Sequence, residues 1–106
     1  MGNIVGTFYF KQNKSGNLLG EFTNNKMNGI STESSDLTSS YQMRFVGTYE
    51  TTWFEKKTSQ NLTLVIDIKK DSDGIYNLTW KKNKSIKFYG IGFITGKRLI
   101  GYYTNE

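Results

Sequence analysis

The chain has 106 residues, of which 36% are hydrophobic and 15% aromatic, and a net charge of +5; that is room for one domain built on a small number of large apolar side chains. It contains no Cys, no His and no Pro, which excludes disulfides, thiolate or imidazole metal sites, histidine acid–base catalysis and proline isomerisation. No apolar run approaches the roughly 18–20 residues of a membrane helix, and the N-terminus lacks a signal-peptide core, which favours a cytoplasmic location.

In chain order, Val5-Gly6-Thr7-Phe8-Tyr9-Phe10 is β-branched and aromatic and ends in the turn-rich stretch 11–17 before Leu18-Leu19-Gly20-Glu21-Phe22-Thr23. Two such runs around a Gly-containing loop read as a hairpin. Residues 24–40 are polar, with only Met27, Ile30 and Leu37 as apolar anchors, and are expected to form a long functional loop, a short helical turn or a flap. Tyr41, Met43, Phe45, Gly47, Tyr49, Thr51 and Trp53 keep period two and predict a strand over 41–54 with a bend at Gly47. Leu62, Leu64, Ile66 and Ile68 repeat the pattern, and Asp71-Ser72-Asp73-Gly74 turns it into Tyr76, Leu78 and Trp80. After a turn at 81–85, Ile86–Ile94 carries Gly90 and Gly92, and Thr95-Gly96 leads into Leu99–Tyr103. No segment has helical apolar spacing over three turns.

The expected fold is therefore all-β: one domain over 1–106, a single antiparallel up-and-down β-barrel or strongly rolled sheet of seven to eight strands, with a long polar loop at 24–40. The first and last hairpins echo one another as strand, Gly turn and Leu-x-Gly-x-aromatic, at Leu18–Phe22 and Leu99–Tyr103. Such an echo fits hairpins lying side by side where a barrel closes.

The series Gly47-Thr48-Tyr49-Glu50, Leu62-x-Leu64-x-Ile66, Gly74-x-Tyr76-x-Leu78-x-Trp80, Tyr89-Gly90-Ile91-Gly92 and Gly96-x-x-Leu99 resembles a recurring, mostly uncharacterised type of small bacterial β-domain. The Gly-Thr-aromatic starts at Gly6 and Gly47, with the Leu-x-Gly-x-aromatic strands, also resemble the calycins, the avidin and lipocalin barrels. That resemblance implies a calycin-like barrel. The lipocalin Gly-x-Trp opening is missing, Phe8 and Tyr49 standing where its Trp would be, and the polar biotin-binding set of avidins maps onto no run here.

Nothing in the chain assembles a catalytic constellation. Asp71 and Asp73 belong to a turn that uses Asp for its own backbone, and Asp67 and Glu50 alternate against the apolar face and read as solvated. No enzyme activity, cofactor or metal is expected. The aromatic residues Tyr49, Trp53, Tyr76, Trp80, Phe88 and Tyr103 are candidates to line a ligand site for a small hydrophobic or aromatic molecule. Lys56, Lys57, Lys81, Lys82 and Lys84 fall on turns that share one end of an up-and-down barrel, a basic rim suited to an acidic protein or other anion. The expected function is non-enzymatic binding, of a ligand in the barrel or a partner at its rim; a protein-interaction or inhibitor module is the alternative, and a single-stranded nucleic-acid binder the third. Against nucleic acid stand the scarcity of Arg (Arg44 and Arg98 only) and the phase of most aromatics with the aliphatics, which predicts them in the core.

Overall fold

Period-two alternation gives each run one apolar face, and a sheet of such runs buries that face by curling until its first and last strands meet. In the computed structural model, which describes residues 3–55 and 60–105, this produces a closed barrel of eight antiparallel strands in chain order. They are β1 (Val5–Gln12), β2 (Leu18–Asn24), β3 (Ser31–Leu37), β4 (Gly47–Glu55), β5 (Gln60–Lys70), β6 (Tyr76–Lys82), β7 (Ser85–Thr95) and β8 (Arg98–Thr104). Closure is made by β1 on β8, from Val5 opposite Thr104 to Lys11 opposite Arg98, so the echoing terminal hairpins do lie side by side. Among the described residues no helix is long and apolar enough to cross a membrane.

Two sequence expectations change. The polar 24–40 segment is not one loop: it contains β3, which pairs with β2 and β4. Its inward positions are Glu33 and Ser35, both buried, so it lacks the apolar alternation by which strands are recognised. The strand predicted over 41–54 begins only at Gly47. Tyr41 and Met43 are exposed, and Met43 bridges to Val46 in a tight turn outside the barrel wall.

That turn closes one end of the barrel. Phe45 sits at φ 69°, in the left-handed region that a bulky residue rarely occupies, and is fully buried. Its N–H donates to Gln12 Oε1 (2.6 Å), while Gln12 Nε2 donates to Gly16 O (2.9 Å) and to Tyr49 Oη (3.0 Å). The Tyr49 hydroxyl in turn donates to Phe45 O (2.9 Å). One glutamine thus ties the β1–β2 turn, the 38–46 segment and β4 together, and the Phe45 ring stands edge-on to Tyr76 at 6.4 Å. Burial pushes the Tyr49 phenol up to about 12, despite the opposing hydrogen bond from Gln12.

Between the ends the interior is filled by side chains, chiefly Phe8, Phe10, Leu18, Ile66, Ile68, Leu78, Trp80, Leu99 and Tyr103. Large rings fit because glycines face them. A Cβ on Gly90 would lie 2.9 Å from Trp80 Cζ3, so the inward glycine of β7 leaves the space the indole occupies.

Truncating the closing side chain, Phe45→Ala, is expected to destabilise the fold by about 3–5 kcal/mol, as for other buried Phe deletions. The fall in the urea midpoint at constant m-value measures it; a change below about 1 kcal/mol would show that Phe45 does not close the barrel.

Candidate functional site

The six aromatic residues singled out in the sequence separate into two groups. Tyr49 and Tyr76 belong to the closed end, under Phe45. Trp53, Trp80, Phe88 and Tyr103 gather at the opposite end, where β1 begins and β8 ends, with Phe22 joining them: Phe22 meets Trp53 at 5.9 Å and Tyr103 at 6.2 Å, and Tyr103 meets Phe88 at 5.7 Å and Trp80 at 5.8 Å. Phe22, Trp53 and Phe88 are half-buried, whereas Trp80 and Tyr103 are buried beneath them.

Under this layer lies Glu33, 4% exposed. Its Oε2 accepts from Thr51 Oγ1 and from Trp80 Nε1 (2.9 Å), and Ser35 Oγ donates to Thr51 Oγ1 (2.7 Å). Every described donor to this carboxyl is neutral, and no described cation pairs with it. Burial raises its pKa, and the hydrogen bonds from Thr51 and Trp80 offset only part of that. Sequence reasoning missed Glu33 because it lies in the segment taken for a loop. The one signal was that segment's length, long for a connection between meander strands.

The basic rim is smaller than the sequence suggests. Lys82 and Lys84 are exposed at this same end, Lys84 with Asn83 in the tight β6–β7 turn where both have positive φ. Lys81 instead pairs across the outer wall with Asp67 (3.0 Å). Asp67 also accepts from Thr48 Oγ1 (2.6 Å); burial raises its pKa, but the bonds from Thr48 and Lys81 and the charges of Lys81 and Lys69 outweigh that and hold it below the usual range. It is therefore engaged rather than freely solvated. Lys56 and Lys57 lie outside the described residues.

The largest departure from the sequence expectation is on the outside. Cross-strand register places nine outward positions of β7, β8 and β1 in three rows: Phe93, Ile100 and Tyr9; Ile91, Tyr102 and Thr7; Tyr89, Thr104 and Val5. All but the two threonines are large and apolar, and Val5, Tyr89, Ile91, Phe93 and Tyr102 are exposed at 41–54%. On β7, Tyr89, Ile91 and Phe93 face out while the positions between them, Gly90 and Gly92, are buried; on β8, Tyr102 faces out beside the buried Tyr103.

Beyond the first row comes a row of Thr95, Arg98 and Lys11. Lys11, Gln12, Lys97 and Arg98 line a concavity of about 340 Å³ there. A second, shallow concavity of about 250 Å³ runs along the flank of the apolar rows, between Ile100, Tyr9, Thr23 and Ile30. Residues 3–12 and 85–105 together contain Lys11, Lys87, Lys97 and Arg98 but no Asp or Glu. Among the described residues, Glu21 on β2 lies beside these strands opposite Tyr9 and accepts a hydrogen bond from its hydroxyl, and Arg98 sits over the Tyr9 ring at 5.4 Å.

Compared with protein-family models, curated proteins and solved structures, the chain matches none.

The buried carboxyl sets a pH test. Because its folded pKa lies above the unfolded value, the stability it permits is complete below the unfolded pKa and is lost as pH rises through the folded one. Glu33→Gln, whose amide oxygen can accept both hydrogen bonds, is expected to gain stability over the wild type at pH 8 and to lose that advantage near pH 4. Urea unfolding at the two pH values checks this, and equal differences at both would remove Glu33 as a titrating buried group.

Proposed function

We propose that this chain is a non-enzymatic binding domain whose partner docks on the outer wall of β7, β8 and β1. One observation carries the reading: a continuous, exposed apolar surface three strands wide, joined to cations with no acid on the same strands. Soluble monomers rarely leave such a patch bare unless something binds it. The filled interior supports the same choice, since both described concavities lie outside the barrel.

A non-catalytic role is supported by how the carboxylates are used. Asp71 Oδ1 accepts from the N–H groups of Asp73 (2.8 Å) and Ile75 (3.0 Å) in its own turn, Asp67 pairs with Lys81, and Glu33 is enclosed. The up-and-down closure over eight strands is also what the calycin resemblance implies, and we carry that kinship, and a bacterial source, as part of the proposal.

A second reading keeps the small hydrophobic or aromatic ligand, now at the barrel mouth among Phe22, Trp53, Phe88 and Tyr103. Glu33 favours it, because an enclosed carboxyl without a cation costs stability and such groups concentrate at functional sites.

Anilinonaphthalene sulfonate, an anionic aromatic dye that reports exposed apolar surface, separates the two readings. With the native protein, the double substitution Ile91→Glu and Tyr102→Glu is expected to cut its fluorescence several-fold while stability stays within about 1 kcal/mol, both side chains being outward. Trp53→Leu and Phe88→Leu are expected to leave the signal unchanged. The reverse pattern would move the site to the mouth.

A further inference from the structure

Resting on the outer-wall reading, we infer that the wall of β7, β8 and β1 is a track for a single-stranded nucleic acid. Recognition without base-edge readout needs two things, aromatic faces for bases and cations along the path of the phosphates. The wall supplies both. Tyr89, Phe93 and Tyr102 are 47%, 52% and 50% exposed, each presenting a ring on a rigid strand rather than on a loop.

Tyr89, Ile91 and Phe93 follow one another at two-residue steps, or about 7 Å along a strand. That is twice the rise of about 3.4 Å per nucleotide along one strand of a duplex. Bases laid at that spacing are unstacked from one another and free to stack on side chains, the form in which single strands are read. Tyr102 lies opposite Ile91 on β8, which places a third ring beside the middle of the path.

The cations stand at both ends of these rows. Lys11, Lys97 and Arg98 surround the concavity beyond Phe93, and Lys87 is exposed at the β7 bulge before Tyr89. The charged side chains of these strands are all cations. An acidic protein would meet the same charges, but a stable protein–protein contact uses about 20–30 residues a side. This face offers seven apolar side chains and four cations, whereas a strand-binding site can span as few as about four nucleotides. A second copy of this chain is disfavoured by the like charges that border the rows.

The test is fluorescence anisotropy with labelled (dT)12 and (rU)12, which distinguish DNA from RNA as the source of the strand. Binding is expected at low salt, with log affinity falling against log salt at a slope of about −3 for four phosphate contacts at about −0.7 each. Phe93→Leu or Tyr102→Leu, which keep an apolar side chain but remove the ring, are expected to weaken binding about five- to hundredfold, the worth of one stacked base. The double variant Lys97→Gln and Arg98→Gln is expected to lower the slope to about −1.4, by the same relation. Lys69→Gln, on β5 across the barrel, is expected to leave affinity unchanged, and thermal melts confirm that each variant folds.

Absence of binding by either oligomer at low salt, a flat salt response, or ring variants with unchanged affinity would overturn the inference. Poly-L-glutamate, lost with the same ring variants and held more tightly than either oligomer, would overturn it while leaving the outer-wall reading in place. If the Ile91→Glu and Tyr102→Glu double variant leaves the dye signal unchanged, the outer-wall reading itself falls.

Discussion

Hydrogen bonding of β1 to β8 is the constraint from which the rest of the molecule follows. By removing both sheet edges it satisfies the backbone of the two strands that would otherwise template aggregation. It also fixes the interior at the width of an eight-strand barrel, which is little more than its inward side chains require. Rings as large as Trp80 and Tyr103 then fit only where a facing strand gives up its own side chain. Gly90 of β7 gives way to Trp80 and Gly6 of β1 to Tyr103, and on β7 the consequence reaches the opposite surface. With glycine inside at positions 90 and 92, the large residues that flank them, Tyr89, Ile91 and Phe93, are on the outside.

This exchange explains how a chain of modest hydrophobicity has both a packed core and an exposed apolar wall. Most of the core is supplied by β1, β4, β5 and β6, whose inward positions carry Phe, Tyr, Leu, Ile and Trp, with Leu18 of β2 and Leu99 and Tyr103 of β8. The large residues of β7 beside Gly90 and Gly92 can therefore lie outside. Charge is divided in the same way. Asp36, Glu50, Asp67, Asp71 and Asp73 all lie on β3, β4, β5 or the β5–β6 turn, so the closing strands are left cationic. An uneven charge distribution on a small barrel focuses its field on one face, and here that face is also the apolar one.

Glu33 is the counterweight inside. Its carboxyl occupies a core position on the strand with the most polar inward face, and Ser35 and Thr51 continue it as a short chain of hydroxyls across β3 and β4. With burial raising its pKa, the group resists ionisation. The opposite end is closed by a residue in a strained conformation, Phe45, held by a glutamine that bonds three separate segments.

The amino-acid sequence by itself determined the class of the fold, the turns and most of the strands. Alternation in 5–10, 62–68, 76–80 and 99–103, with Gly and Asp at the turns, leaves few alternatives to an antiparallel meander. It also determined that cysteine, histidine and proline chemistry have no part here. What it hid has a common cause: alternation tells which residues share a face, but not which face is inside. On β3 the buried face is polar, so the strand was invisible. On β7 the buried face holds Gly90 and Gly92, so alternation gave no sign that Tyr89, Ile91 and Phe93 form an outer surface. Before β4 a turn happens to keep period two, so Tyr41 and Met43 joined a strand they do not enter. Only tertiary closure, by deciding which ring fills which glycine's space, set the apolar wall outside and the carboxyl of Glu33 within.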